Sequence, residues 1–305
     1  MKNVSLQINL SPFDYKLSKS LLPLQIDAFG KTLDEILLIL DLNPEKVTND
    51  VKKDADSMVS FLSDLSNKDS RIRVTNVDYD SQKKSQIAQY FFNKDTMPLY
   101  DFRGAPIYPY YYGLYESKNN LIFHIDSDMF FGGSAENWID IGIQFLESGV
   151  FSCTPLAGPP STDGDLLNQK YEKIGTNIYL FDSFSTRIFF IDKRMLKGKL
   201  KLLSPQLIRR AYALYKNYPP YQTVEETIGL LMQKQNYKRL DFLGRSKGFW
   251  SLHPSFRSNK LYEDVENIWD KVQNGPYPND QLGYYNFTKS FWEWGNIEKS
   301  KKIIF

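Results

Sequence analysis

The sequence predicts an α/β fold with a mostly parallel central sheet flanked by helices. Between Val4 and Asp126, short apolar runs alternate with longer stretches of helical spacing, the pattern of repeated strand–helix–strand units. Two of those runs, Ile36-Leu37-Leu38-Ile39-Leu40 and Leu121-Ile122-Phe123-His124-Ile125, are continuously apolar, as in strands covered on both faces. A chain of 305 residues with 42% apolar composition can bury one sizeable core of this kind.

In order along the chain, Val4 to Leu10 alternates apolar and polar residues and reads as a strand, broken by Ser11 and Pro12. Leu17, Leu21, Leu24 and Phe29 carry a helical period, and Glu35 to Leu42 is the second strand. Val51, Met58, Phe61, Leu62 and Leu65 place a helix over Asp50 to Leu65. Ile72 to Val77 reads as a strand, Ser81 to Phe92 as a helix and Leu121 to Ile125 as a strand. The second half is mixed. Ala157 to Asp165 is a Gly/Pro/Ser/Asp-rich loop, expected to close over a bound ligand. Thr176 to Phe181 and Arg187 to Asp192 read as strands, and Pro205 to Lys216 and Val224 to Gln235 as helices. The expected organisation is one domain over 1–255, with halves of about 1–130 and 131–255, and a helical, aromatic extension over 256–305.

The bulk numbers exclude several classes. A net charge of +2 leaves no electrostatic footprint for nucleic acid. One cysteine, Cys153, cannot form an intrachain disulfide. The Met1 end has no secretory pattern, and no apolar run reaches the roughly 18 residues of a membrane span. A cytoplasmic location is expected. The C-terminal mixture of Phe291-Trp292-Glu293-Trp294 with Lys299 to Phe305 suits peripheral contact at the inner membrane face, or a buried aromatic anchor. Aromatic content is high at 15%, which serves either a ring-rich core or platforms for sugar rings and bases.

Ligands of open α/β sheets bind beyond the carboxyl ends of the strands. Asn9-Leu10-Ser11, Asp41 and Asp126-Ser127-Asp128 all stand at such ends. Asp126 and Asp128 lie two apart and share a face if the strand continues, so they can hold a hard divalent cation that keeps positions for phosphate oxygens. A solvated turn explains the same pair. His124 reads as a core histidine or a ligand, and His253, after a predicted strand, as a distant third ligand. Arg103, followed by Gly104, offers a phosphate-matched fork or a surface ion pair. Glu225 and Glu226 open a helix, where negative charge suits the dipole and where a carboxylate can also act as general base.

The order Ser11, Asp41, Arg103-Gly104-Ala105, His124-Ile125-Asp126-Ser127-Asp128, Glu225-Glu226-Thr227, His253 resembles the GT-A fold glycosyltransferases. It is most similar to the large inverting family that includes cellulose- and chitin-type synthases, over roughly residues 3–255. The resemblance implies a Rossmann-like half and a smaller mixed acceptor-side region. It implies a nucleotide-diphosphate sugar donor, UDP-sugar before GDP-sugar, with Mn2+ or Mg2+, and a carbohydrate or lipid-linked hydroxyl acceptor. Asn9, Leu10, Ser11 and Asp41 would contact the nucleoside, and Arg103 the diphosphate region. Asp126 and Ser127 would lie against the donor, and Asp126, Asp128 and His253 would hold the metal. Glu226 would be the base, with Glu225 beside it. The chain departs from the family pattern in having Glu at the base position and Asn9-Leu10-Ser11-Pro12-Phe13 after the first strand. Two other readings stand beside this one. A sugar-nucleotide nucleotidyltransferase would normally carry a glycine-rich loop, and Asn9 to Tyr15 has no Gly. A non-catalytic sugar- or metal-binding protein would use Glu225 and Glu226 only to cap the helix.

Overall fold

The continuous apolar runs form interior strands of the sheet, where each face has its own core. In the computed structural model, which describes residues 3–30, 32–44 and 47–293, the element order is β1 (Val4–Leu10), α1 (Tyr15–Phe29), β2 (Glu35–Leu40), α2 (Asn49–Lys68), β3 (Ile72–Asn76), α3 (Ser81–Phe92), α4 (Tyr108–Glu116) and β4 (Leu121–Asp126). There follow β5 (Phe130–Gly133), α5 (Trp138–Glu147), β6 (Ser152–Ala157), β7 (Glu172–Gly175), β8 (Ile178–Phe181) and β9 (Ile188–Asp192). The chain continues through α6 (Leu207–Tyr215), α7 (Val224–Gln235), β10 (Arg239–Phe242), β11 (Phe249–Leu252), α8 (Asn259–Glu263) and α9 (Val265–Asn274). Ile36, Leu38 and Leu40 face α1 and α2 through Leu22, Ile26, Met58 and Leu62. Leu37 and Ile39 face α3 and α4 through Ile87, Phe91, Tyr108 and Tyr111. Burial of that alternation on both sides is the main stabilisation of this half, at roughly 25 cal/mol per Å² of apolar surface.

The strand order is β3-β2-β1-β4-β9-β6-β10-β8-β7, with β11 pairing β5 and β6. The first four strands are parallel. β9 then runs antiparallel to both β4 and β6, and β8 antiparallel to β10 and β7. The α/β class, the flanking helices and the parallel first half are as expected. The expectation of a mostly parallel sheet needs correcting: beyond β4 the sheet is mixed, because β9 inserts antiparallel between β4 and β6 and β8 pairs antiparallel with β10 and β7.

The segment expected as an extension is built into the same body over its described part. Leu261, Val265, Ile268 and Val272 of α8 and α9 share a core with Leu17 and Leu21 of α1 and Phe130 of β5, closed by Phe287 and Phe291. Trp294 and Lys299 to Phe305 lie outside the described residues. Among the described residues, no helix is long and apolar enough to cross a membrane.

The glycines after the acidic pair serve this packing. Gly132 pairs with Trp250 across β5 and β11, and a Cβ there would stand 2.0 Å from the indole. Gly133 has φ +77°, and its Cβ would stand 2.2 Å from the Gly248 carbonyl. Gly132→Ala is therefore expected to destabilise the protein by about 1–3 kcal/mol, the usual range for overpacking. A thermal melt unchanged from wild type would show that the indole can move aside.

Candidate active site

Parallel register lines up the strand ends. Asn9 of β1 pairs with Asp126 of β4, and Leu10 with Leu40 of β2. The sequence-predicted residues at these ends therefore lie along one edge, but with different surroundings. Leu10 points into the core and its carbonyl accepts from Asp41 N, so its side chain is not a ligand contact. Ser11 caps a short turn: its N and Oγ donate to Asp14 Oδ2 at 2.7 and 2.8 Å. Asp41 Oδ1 accepts from Tyr79 Oη at 2.7 Å and Asn43 N at 3.0 Å. Burial, reinforced by Asp41, pushes the Tyr79 phenol far above its ordinary value, so Tyr79 acts as a neutral donor. Asn9 Oδ1 accepts from Gln7 Nε2 at 3.1 Å, while its buried Nδ2 has no partner among the described residues. Arg103 forks onto buried Asp101 at 3.1 and 2.7 Å, and Asp101 also gathers the Arg103 and Ala105 amides.

The acidic pair divides its tasks. Asp126 Oδ1 accepts from Tyr110 Oη at 3.0 Å and lies 3.4 Å from His124 Nε2. His124 is fully buried and stacks on Phe189 with ring centroids 4.7 Å apart, which makes it a core histidine. Ser127 is buried between the two acids. Asp128 Oδ2 receives Arg257 Nε at 3.1 Å and Nη2 at 2.9 Å, and Arg257 also pairs with Asp14. Asp128 Oδ1 lies 3.4 Å from His253 Nε2. Burial opposes ionisation of Asp128, but His253 and Arg257 outweigh it and hold the carboxyl well below the usual carboxylate range.

The expected metal trio is only partly gathered. Among the described residues no group of three or more His, Cys, Asp or Glu stands ready to hold an ion. Asp128 Oδ1 is nevertheless buried without a hydrogen bond, and it faces His253 Nε2 at a separation that suits two ligands of one divalent cation. These two residues fit such an ion; Asp126 is turned to Tyr110.

His253 opens onto a cleft of about 390 Å³, which Arg187, Glu225, Arg239, Asp241 and Tyr285 also line. Arg239 is buried, forks onto Asp241 at 2.8 and 3.3 Å and lies 4.1 Å from the Phe181 ring centroid. Arg187 precedes β9, its carbonyl accepts from Asp126 N at 2.8 Å, and its guanidinium donates to Asn286 Oδ1 at 3.3 Å and lies over the Tyr285 ring. Glu225 makes no hydrogen bond among the described residues and remains reachable by solvent. The cleft walls still desolvate it. That raises its carboxyl above the ordinary value, against the opposing pull of Arg239, Arg187 and Arg103.

Glu226, expected as the base, closes the capping box of α7, whose N-cap is Thr223. Its Oε2 accepts from Thr223 N at 3.1 Å, its own amide donates to Thr223 Oγ1 at 3.0 Å, and its Oε1 pairs with Arg209. Both oxygens are thus engaged, whereas Glu225 lines the cleft with its carboxylate free of hydrogen bonds among the described residues. Sequence reasoning missed Arg257, Asp14, Tyr110, Arg187 and Arg239. Arg257 lies just past the end of the resemblance at 255, and Arg187 reaches the site only through the antiparallel β4–β9 pairing, which no local pattern announces.

No family model and no curated protein matches the chain. Among solved structures it is similar to S. aureus TarS, at TM-score 0.40 and 12% identity over 92% of this chain, and it spans 41% of that chain. The same figures hold for TarS 1-349 in complex with UDP-GlcNAc, of which 69% is covered. A CMP:2-keto-3-deoxy-manno-octonic acid synthetase complexed with CTP matches at TM-score 0.40 and 9% identity, over 88% of this chain and 99% of that one. At this level of similarity the strand order and register, and not the neighbours, carry the description of the fold.

Proposed function

We propose that the protein transfers a sugar from a nucleotide-diphosphate sugar to a hydroxyl acceptor, with Glu225 as the general base. The observation that carries this reading is that His253, paired with Asp128, and the otherwise unengaged Glu225 line one cleft. The acceptor hydroxyl would give its proton to Glu225 as its oxygen bonds the anomeric carbon. The bond from that carbon to the diphosphate oxygen would break, and the nucleoside diphosphate would leave with the electron pair. Base and leaving group on opposite sides give inversion. Arg187 and Arg239 supply fixed positive charge along the cleft for the anionic donor. A divalent cation held by Asp128 and His253 would supply Lewis-acid neutralisation of the departing diphosphate.

A thermal-shift series with UDP, GDP and nucleoside triphosphates, with and without manganese, tests this. A ligand at about 100 times its Kd adds about 2.7 kcal/mol to the folded state, a shift of several degrees. UDP or GDP is expected to raise the melting temperature, and His253→Ala to remove the manganese-dependent part. No shift with any nucleoside diphosphate would remove the reading. A shift with triphosphates alone, with pyrophosphate released in the presence of a sugar, would show nucleotidyl transfer instead.

A further inference from the structure

Helix α6 wears its apolar face outward. Leu207, Ile208, Leu214 and Tyr215 are 82%, 81%, 63% and 83% exposed, whereas Ala213 is its one buried residue. Leu207, Ile208, Ala211, Leu214 and Tyr215 follow i, i+1, i+4, i+7, i+8 spacing, so at 3.6 residues per turn they form one stripe about 120° wide. Arg210 stands beside one edge of that stripe, and Lys216 follows it at the C-terminal end of the helix. Leu203, 42% exposed, extends it towards the preceding loop. An apolar stripe normally turns inward, and among the described residues nothing covers this one.

The charge around the stripe identifies that partner. Residues 193–224 contain eight cations, from Lys193 to Lys216, and no carboxylate. Lys193 is buried, and Arg194 and Arg209 are paired with Asp192 and Glu226. Lys197, Lys199, Lys201, Arg210 and Lys216 are exposed and form no ion pair among the described residues.

We infer that α6 and the basic segment before it are a docking surface for an anionic lipid bilayer. A short helix with an outward apolar stripe between cations lies in the interface plane, its apolar side chains among the acyl chains and its cations among the headgroups. A second copy of this chain fits poorly, because it would bring a second set of the same uncompensated cations to the contact. The inner side of the same helix matters too. Gln206 and Arg209 line a groove shared with Glu225, so docking would hold that groove close to the membrane surface. That placement would let a lipid-linked acceptor reach the base, a point that rests on the proposed function. The docking itself does not.

Cosedimentation of the full chain with vesicles tests the inference without any assay of activity. Binding is expected to mixed phosphatidylglycerol–phosphatidylcholine vesicles and to be much weaker on phosphatidylcholine alone. Leu207→Ser with Leu214→Ser should abolish most of it, and Arg210→Glu with Lys216→Glu should weaken it by roughly tenfold or more. All four side chains are exposed, and an unchanged melting temperature for each variant confirms that folding is intact. Absence of binding, equal binding to neutral vesicles, binding indifferent to both double variants, or a stripe-dependent dimer in light scattering would each overturn the assignment.

Discussion

Glu225→Gln is expected to lower sugar transfer by about 10²–10⁴-fold, the usual contribution of a positioned general base, while nucleoside diphosphate binding persists. The amide keeps the shape of the cleft wall and loses only the ability to take a proton. Because burial raises the Glu225 carboxyl, the acid limb of the wild-type kcat/KM profile should lie above the ordinary 4.5, and the variant should lose that limb. The stability sign is the opposite of a typical ion pair. A raised acid favours the protonated folded state, so its contribution is full below the unfolded value and lost as pH rises through the folded one. Glu225→Gln should therefore melt at neutral pH no lower than wild type. Glu226→Ala should do the reverse. It removes the carboxylate that closes the α7 capping box and pairs with Arg209, costing about 1 kcal/mol of stability with only a modest change in turnover. If Glu226→Ala abolishes turnover and Glu225→Gln does not, the two roles are exchanged.

The different surroundings of these two glutamates show where sequence reading stops. Their position at a helix start was legible from the break at Pro219-Pro220 and the period of Val224 to Gln235. Which of them faces the cleft was not, because one residue turns a helix by about 100°, and only the docking of α7 decides the outcome. The parallel half was legible for a similar reason in reverse. Strands buried on both faces leave a continuous apolar signature, and their parallel pairing brings Asn9 and Asp126 into register. The mixed half carries no such signature. β6 contains Pro155, β5 is half glycine, and β9 inserts between β4 and β6 far from its neighbours in sequence. The Asp126-Ser127-Asp128 turn was found by its strand, but its actual partners came from α4 and from beyond β11.

Arg257→Met is expected to lower stability at neutral pH and to change how the protein responds to acid. The guanidinium joins three separate pieces of chain. It forks onto Asp128 at the end of β4, pairs with Asp14 after β1, and extends from the segment after β11. Asp14 and Asp128 are 8% and 6% exposed, so without Arg257 two enclosed carboxylates are left with Ser11 and His253 as their close side-chain partners among the described residues. Breaking a fully buried pair costs about 3–5 kcal/mol, and the one-third exposure of Arg257 reduces that to about 1–3 kcal/mol. Methionine fills the same length with no charge, so the loss reports the ion pair more than the packing. Asp128 is a depressed acid, so its contribution is full above the ordinary 3.8 and lost as pH falls through the lowered folded value. The gap in melting temperature between wild type and variant should thus be widest near neutral pH and narrow as the pH falls from 3.8 towards the lowered folded value. Arg257→Lys should recover only part of it, since one ammonium cannot fork onto Asp128 and also reach Asp14. A gap that stays constant from neutral pH into the acid range would mean that methionine disturbs packing alone, and that the charge bridge between the first strand loop and Asp128 contributes nothing to the fold.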